Sequence, residues 1–257
     1  MYLVLGAYDL GFLYMMIGKD ENIVIGLSAK ADGNMKLGGA AARETARNRQ
    51  QYFIRQGIDP ARVVAAKLAH GSRVAAVTPD DTGKIIDNTD GLVSREPGIV
   101  LAITVADCLP VYFYDPSALV IGLAHGGWRG IQKGIIENMC RQMFKMLGAG
   151  PESTLVYIGP HIRHCHYEVN KDVWRHFDGT EGALYTKNGK NYLDLARVVE
   201  SKLRYYGLPE ANIEISNECT HCRKKKYFSF RRDKPEEVEA MVAYIGINSK
   251  PQITNPK

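Results

Sequence analysis

Three short stretches of this sequence end an apolar run in a residue able to bind a soft metal ion. They are "AAKLAHG" with His70, "ITVADCLP" with Cys108 and "IGLAHGGWRG" with His125. Gly or Pro follows each of them, a composition that closes a strand and lets backbone or substrate come near. Strand ends of one sheet system can converge, so two imidazoles and a thiolate can meet at one point. Two His and one Cys make a suitable set of zinc ligands, with a fourth position left for water. Asp107, beside the cysteine, would then accept a hydrogen bond from a ligand imidazole or move a proton. The blander reading makes each residue structural, a satisfied histidine or a small packed thiol. Recurrence of one design at three places is what speaks for a shared site.

Two further clusters carry metal-binding residue types. In "IGPHIRHCHYEV", His161, His164, Cys165 and His166 crowd behind a strand and Pro160; in "ECTHCRK" stand Cys219, His221 and Cys222. A single Cys-x-x-Cys is a weak signal, because a structural zinc site takes four ligands. The two clusters could combine into one closed metal site. Alternatively both are loops near the surface, with some residues lining a pocket. His161 and His164 follow a Gly-Pro turn at a strand end, where substrate contacts often lie.

Positioning such residues requires strands, and the chain alternates short β-type runs with helical ones. "YLVLGAY", "FLYMMI" and "NIVIGLS" predict an N-terminal antiparallel meander. "GGAAARETARNRQQYFIRQG" predicts a helix that stops at Gly57, and "RVVAAKLAHGSRVAAV" a strand, a Gly turn and a strand. "GIVLAITVADC", "PVYFYD" and "ALVIGLAH" read as three more buried strands. "GIQKGIIENMCRQMFKMLG" has apolar residues at helical spacing, "TLVYIGP" is strand-like, and "NYLDLARVVESKLRYYG" is a helix followed by the strand "NIEIS". "PEEVEAMVAYIG" predicts a last helix with Pro235 in its first turn. The fold class expected is α+β (α/β), one domain over residues 1–247 of layered mixed β-sheets flanked by helices. The polar tail 248–257 is expected to fray.

Bulk properties narrow the classes. A chain of 257 residues can bury a substantial core, and 24% charged residues is ordinary for a globular protein. No apolar run reaches the roughly 20 residues needed to span a bilayer, so no membrane partner is expected. The opening residues lack a basic n-region, and five cysteines without a secretory signal point to reduced thiols in the cytoplasm. The net charge is +5, with one dense basic run, "CRKKKYFSFRRD". Its plainest explanation is a solvated face, next a groove for an anionic substrate, and nucleic acid is not expected.

Taken in order, "KLAHG", "TDGLVS", "ADCLPVYFYDP", "AHGGWRG", "IGPHIRHCHYEV", "CTHC" and "YFSFRRD" resemble the laccase-domain, or YfiH-like, family. That family is described both as multicopper polyphenol oxidases and as purine nucleoside phosphorylases. The resemblance runs from about residue 26 to about 233. It implies one zinc held by His70, Cys108 and His125, the trio already reached from strand ends. It also implies phosphorolysis of adenosine, inosine and methylthioadenosine, with adenosine deamination as a further activity. The chain departs from the family pattern at His161, His164 and His166, in the loop "GLSAKADGNMKLGG", and after "FRRD".

For phosphorolysis the partners are purine nucleosides and phosphate, and an anion must be held beside the nucleoside. Arg73, Arg129 and Arg231 or Arg232 are the candidate anion holders, each with a surface ion pair as its plainer role. For deamination an acid must shuttle protons, and Asp107 and Glu168 are the candidates. A different enzyme class keeps the residues and changes their roles. Cys108 becomes a nucleophile, His125 its base and an acid its orienter, giving a thiol hydrolase or amidase that edits peptide bonds of a cell-wall precursor. Copper is the alternative metal. Multicopper phenol oxidation fits poorly, because it needs many paired histidines and this chain has seven, with one His-x-His pair at His164 and His166. A non-catalytic, metal-stabilised binding module is the remaining reading.

Overall fold

The computed structural model describes residues 20–248 and has a mixed α/β architecture of layered sheets flanked by helices. A five-stranded sheet is built from β1 (Ile23–Leu27), β2 (Val63–Lys67), β4 (Ile85–Asp87), β6 (Val100–Val105) and β14 (Met241–Ile247). Its order is β1-β14-β6-β2-β4, antiparallel across β1, β14 and β6 and parallel across β6, β2 and β4. A six-stranded sheet uses β3 (Val74–Ala76), β5 (Gly91–Ser94), β7 (Leu109–Asp115), β8 (Val120–Gly126), β9 (Leu155–Ile158) and β13 (Ile213–Ile215), in the order β13-β9-β7-β8-β5-β3. A small antiparallel sheet joins β10 (Glu168–Val169), β11 (Leu184–Lys187) and β12 (Lys190–Leu193).

Residue parity decides the layering. In β7, Tyr112 and Tyr114 face the other large sheet and pack with Leu101, Ile103 and Ile245, while Val111 and Phe113 face helices. Those helices are α3 (Ile135–Arg141), which follows α2 (Trp128–Gln132), and α5 (Leu195–Tyr205). On the outer face of the five-stranded sheet, Val100, Ala102, Val242 and Tyr244 pack against Tyr52 and Phe53 of α1 (Ala42–Arg55). Two short helices, α4 (Lys171–Trp174) and α6 (Phe230–Asp233), complete the set. Strands covered on both faces read as continuous apolar runs rather than alternating ones, as β7 and β8 do.

That burial explains a correction. Residues 235–246 do not form the expected last helix. Met241–Ile247 is strand β14, held between β1 and β6 in its sheet and buried at every position. Its inner residues Met241, Ala243 and Ile245 and its outer residues Val242 and Tyr244 all meet apolar partners, which erases any period-two signal. The helix expected over 130–148 breaks at Gly134, whose φ of 93° is left-handed, and ends in a π-type turn. The helix expected from 191 starts only at Leu195, where Asp194 caps the N–H groups of Ala196 and Arg197. Of the N-terminal meander, the last run is β1; its first two runs, and the tail beyond 248, lie outside the described residues. Among the described residues no helix is long and apolar enough to cross a membrane.

The topology sets up one particular junction. The chain passes from the five-stranded to the six-stranded sheet three times, between β2 and β3, between β4 and β5, and between β6 and β7. His70 lies in the first crossing, Asp90 in the second and Cys108 in the third.

Candidate metal centre and its surroundings

The crossings that carry His70 and Cys108 open beside the end of β8, where His125 pairs in register with Pro110 of β7. One ligand atom from each of His70, Cys108 and His125 lies within 4.8 Å of the others. The two imidazoles meet edge to face, with centroids 5.0 Å apart. His125 is buried, Cys108 half-buried and His70 exposed, so the trio opens to solvent on one side. Gly127 lies against all three side chains. A Cβ there would sit 3.3 Å from Cys108 Sγ and 3.4 Å from each imidazole.

Asp90 organises the trio, and nothing in its spacing announced it. Its buried carboxylate accepts the N–H groups of Ala69 (3.1 Å), His70 (2.9 Å) and Gly71 (2.8 Å). These bonds hold His70 in a left-handed backbone conformation, φ 53°, that a non-glycine residue adopts only when its surroundings over-determine it. Asp90 Oδ1 also lies 3.1 Å from His125 Nδ1, so Nε2 is the nitrogen left for a ligand. A carboxylate behind a ligating histidine fixes the ring and its tautomer. Burial opposes ionisation of Asp90. The hydrogen bond with His125 and the Gly71 and Ala69 amides more than offset it, and its pKa falls below the ordinary range.

Electrostatics within the trio favour the ligand form of the thiol. Burial works against the Cys108 thiolate, yet the His125 and His70 imidazoles bring its pKa down to about 6. Burial likewise works against a charged His125, but Cys108 and Asp90 raise it to about 9. Both shifts run the same way, toward a thiolate beside an imidazolium.

Asp107 has a different place from the one expected. Its carboxylate accepts Thr220 Oγ1 (2.6 Å), Ser229 Oγ (3.0 Å) and the N–H of Arg231 (2.7 Å), and its carbonyl accepts the N–H of Ile162 (3.0 Å). It ties three loops together behind Cys108, and the carboxylate behind the His125 imidazole is Asp90 instead. Glu168 turns away too. Its carboxylate pairs with Lys190 at 2.9 Å on the surface, and its carbonyl accepts Arg231 Nη1 at 2.6 Å.

Tyr167 connects the arginines to the trio. The Arg231 guanidinium lies over its ring at 5.3 Å from the centroid. Burial and then Cys108 push the phenol pKa up, against the pull of Arg231 and Arg129. Arg129 is exposed and stacks on Trp128 at 4.4 Å. Arg73 is also exposed, its Nη1 donating to the Asp87 carbonyl, and Arg232 is spent on the carbonyls of Thr220, His221 and Tyr227. His164 bonds Asp194 at 2.9 Å and stacks on Tyr185, whereas His161 is fully buried with Nδ1 on the Gly159 carbonyl. A separate cavity between α1 and the five-stranded sheet, lined by Arg49, Phe53 and Thr104, presents no His, Cys, Asp or Glu.

Comparisons with known proteins agree with this architecture. Residues 26–248 match the family model described as multi-copper polyphenol oxidoreductase laccase. The chain is 35% identical over 198 residues to the purine nucleoside phosphorylase YlmD of Geobacillus stearothermophilus, covering 72% of each chain. It is 31% identical over 193 residues to the adenosine deaminase RL5 from an unknown prokaryotic organism, covering 68% of this chain and 72% of that one. The crystal structure of YlmD from Geobacillus stearothermophilus superposes with a TM-score of 0.84 at 31% identity, over 89% of this chain and 93% of that one.

Proposed function

The chain belongs to the multi-copper polyphenol oxidoreductase laccase family, and from that premise we propose that it is a metal-dependent purine nucleoside phosphorylase. Its substrates would be adenosine, inosine and S-methyl-5'-thioadenosine with phosphate, and adenosine deamination a further activity. The observation that carries this reading is the His70–Cys108–His125 trio, braced by Asp90 and open on one side beside Tyr167. Relatives named as purine nucleoside phosphorylases and an adenosine deaminase support the substrate class.

The donor set fits zinc, with two neutral nitrogens and one thiolate, and copper is the alternative occupant of the same donors. When bound, zinc supplies Lewis acidity at the position its three protein ligands leave free. A four-copper oxidase is a poor fit. Among the described residues the two His/Cys clusters contribute three histidines, His70, His125 and His166.

Phosphorolysis joins a phosphate oxygen to C1' of the ribose and breaks the bond from C1' to the purine. The anion needs positive charge, which Arg129 and Arg231 bring to the edge of the trio. The departing purine needs a proton or a hydrogen bond. Tyr167, held protonated, can donate one, whereas it cannot serve as a base near neutral pH. Asp90 acts through the ligands, by holding the His125 ring and the His70 backbone. Turnover of the three nucleosides with and without phosphate, beside metal analysis of the same preparation, tests the proposal. Phosphate-independent release of base by metal-free protein would contradict it.

One observation favours a second reading, the thiol hydrolase acting on a peptidoglycan precursor. Cys108, His125 and Asp90 form a nucleophile, base and orienter series with a thiolate already favoured. The second imidazole, His70, has no role in such a series and speaks for the metal. Activity lost to iodoacetamide but indifferent to chelators would favour the hydrolase.

A further inference from the structure

We propose that the chain carries a second metal site, a closed tetrahedral zinc held by Cys165, His166, Cys219 and Cys222. It lies outside the catalytic trio and is independent of the activity assigned to it.

The four ligand atoms lie within 4.8 Å of one another. Cys165 Sγ and Cys222 Sγ are 3.8 Å apart, and His166 Nδ1 is 3.3 Å from each of them. A tetrahedral zinc with Zn–S of about 2.3 Å and Zn–N of about 2.05 Å sets sulfurs about 3.8 Å apart and sulfur and nitrogen about 3.5 Å apart. The observed spacing is therefore that of donors around one ion. All the cysteines are free thiols.

Ile162, Tyr167 and Cys219 bring the two sequence-distant segments into one buried cluster. Cys165, His166 and Cys222 are exposed, so that packing does not itself draw their donor atoms together. Two hydrogen bonds, one between backbones and one from a side chain, hold the segments in register. Thr220 N–H donates to the His161 carbonyl at 3.0 Å, and Arg163 Nη1 donates to the Asn217 carbonyl at 2.9 Å. His221 stacks on His166 with centroids 4.0 Å apart and covers one side of the cluster. Three thiolates and a neutral imidazole around a divalent ion carry one net negative charge. The basic run 223–226, which follows Cys222 directly, supplies the opposite sign.

Four protein ligands leave no position for a reactant, so the site is structural. What it braces is the wall behind Cys108. Thr220 sits between Cys219 and His221 and bonds Asp107, and Tyr167 follows His166.

The test uses the full chain, expressed with zinc and purified under a reductant that does not bind metal. Zinc per chain is measured for wild type, Cys222→Ser, Cys165→Ser and Cys108→Ala. Two zinc ions are expected in wild type and one in each variant. Cobalt-loaded Cys108→Ala should show thiolate-to-cobalt charge-transfer bands and the visible bands of a tetrahedral ion, both lost when Cys222→Ser is added. A wild type with two ions and a Cys222→Ser protein with the same two would overturn the proposal. So would a wild type with one ion and a Cys108→Ala protein with none. One ion in wild type, kept in Cys108→Ala and lost in Cys222→Ser, would support this site and count against the catalytic one. Thiol labelling gives a readout that needs no variant. In zinc-loaded protein the exposed Cys165 and Cys222 should resist alkylation until a chelator is added, and rapid labelling beforehand would overturn the proposal.

Discussion

Asp90→Asn is the perturbation that separates the bracing of the trio from the trio itself. The carboxylate receives four polar contacts, two on each oxygen. Oδ1 serves the His70 N–H and His125 Nδ1, and Oδ2 the N–H groups of Ala69 and Gly71. An amide keeps one acceptor oxygen and turns its NH2 toward the other two donors. Two hydrogen bonds to a charged group are lost, each worth about 1.5–3 kcal/mol, which sums to about 3–6 kcal/mol. That is a large share of the roughly 5–15 kcal/mol that keeps a domain folded, so the melting temperature should drop by many degrees. Loss of the partner behind a ligating histidine should also weaken metal binding about 10–100-fold. Chelator competition read beside thermal unfolding measures both. A variant with zinc affinity within twofold of wild type and an unchanged melting point would refute the reasoning. The pH dependence has a definite sign. Asp90 has a depressed folded pKa, so its contribution is complete above the unfolded carboxylate value and is lost as pH falls through the folded one.

Further outcomes follow from the same geometry. Gly127→Ala should weaken zinc binding with little unfolding. Its backbone, at φ −80° and ψ 153°, accepts any residue, but the new methyl enters the ligand cluster; equal zinc binding would argue against a shared pocket. Alkylation of Cys108 in metal-free protein should rise through an inflection near pH 6, rather than near the about 8.5 of an ordinary thiol. A rate that climbs only above pH 8 would remove the thiolate–imidazolium pair. Arg129→Ala should raise KM for phosphate about tenfold or more, the equivalent of one charge-assisted hydrogen bond, and leave the melting point unchanged; an unaltered phosphate KM would free Arg129 from anion binding.

The convergence of His70, Cys108 and His125 was legible because each ends an apolar run near a Gly or Pro, a local pattern visible without neighbours. Asp90 was not. It works through backbone N–H groups about 20 residues upstream and one ring 35 residues downstream, and no spacing rule records such partners. Asp107 was misplaced for a related reason. Standing next to a ligand it looked like the ligand's partner, but its left-handed backbone, φ 79°, accompanies a carboxylate bonded to Thr220, Ser229 and Arg231. The segment 235–246 misled by composition. Helix-forming Glu236, Glu237 and Glu239 precede a strand whose two buried faces hide its alternation. The cysteine clusters gave only half their signal, since a Cys-x-x-Cys gains meaning from Cys165 and His166 more than 50 residues away.

The most direct measurement is release of free purine base from adenosine, inosine and methylthioadenosine, with and without phosphate, by wild type and Cys108→Ala. Bound metal is counted in the same samples. The account predicts phosphate-dependent turnover by metal-loaded wild type, and loss of turnover together with one metal ion in the variant. Undiminished turnover by Cys108→Ala, or by wild type stripped of metal, would contradict it.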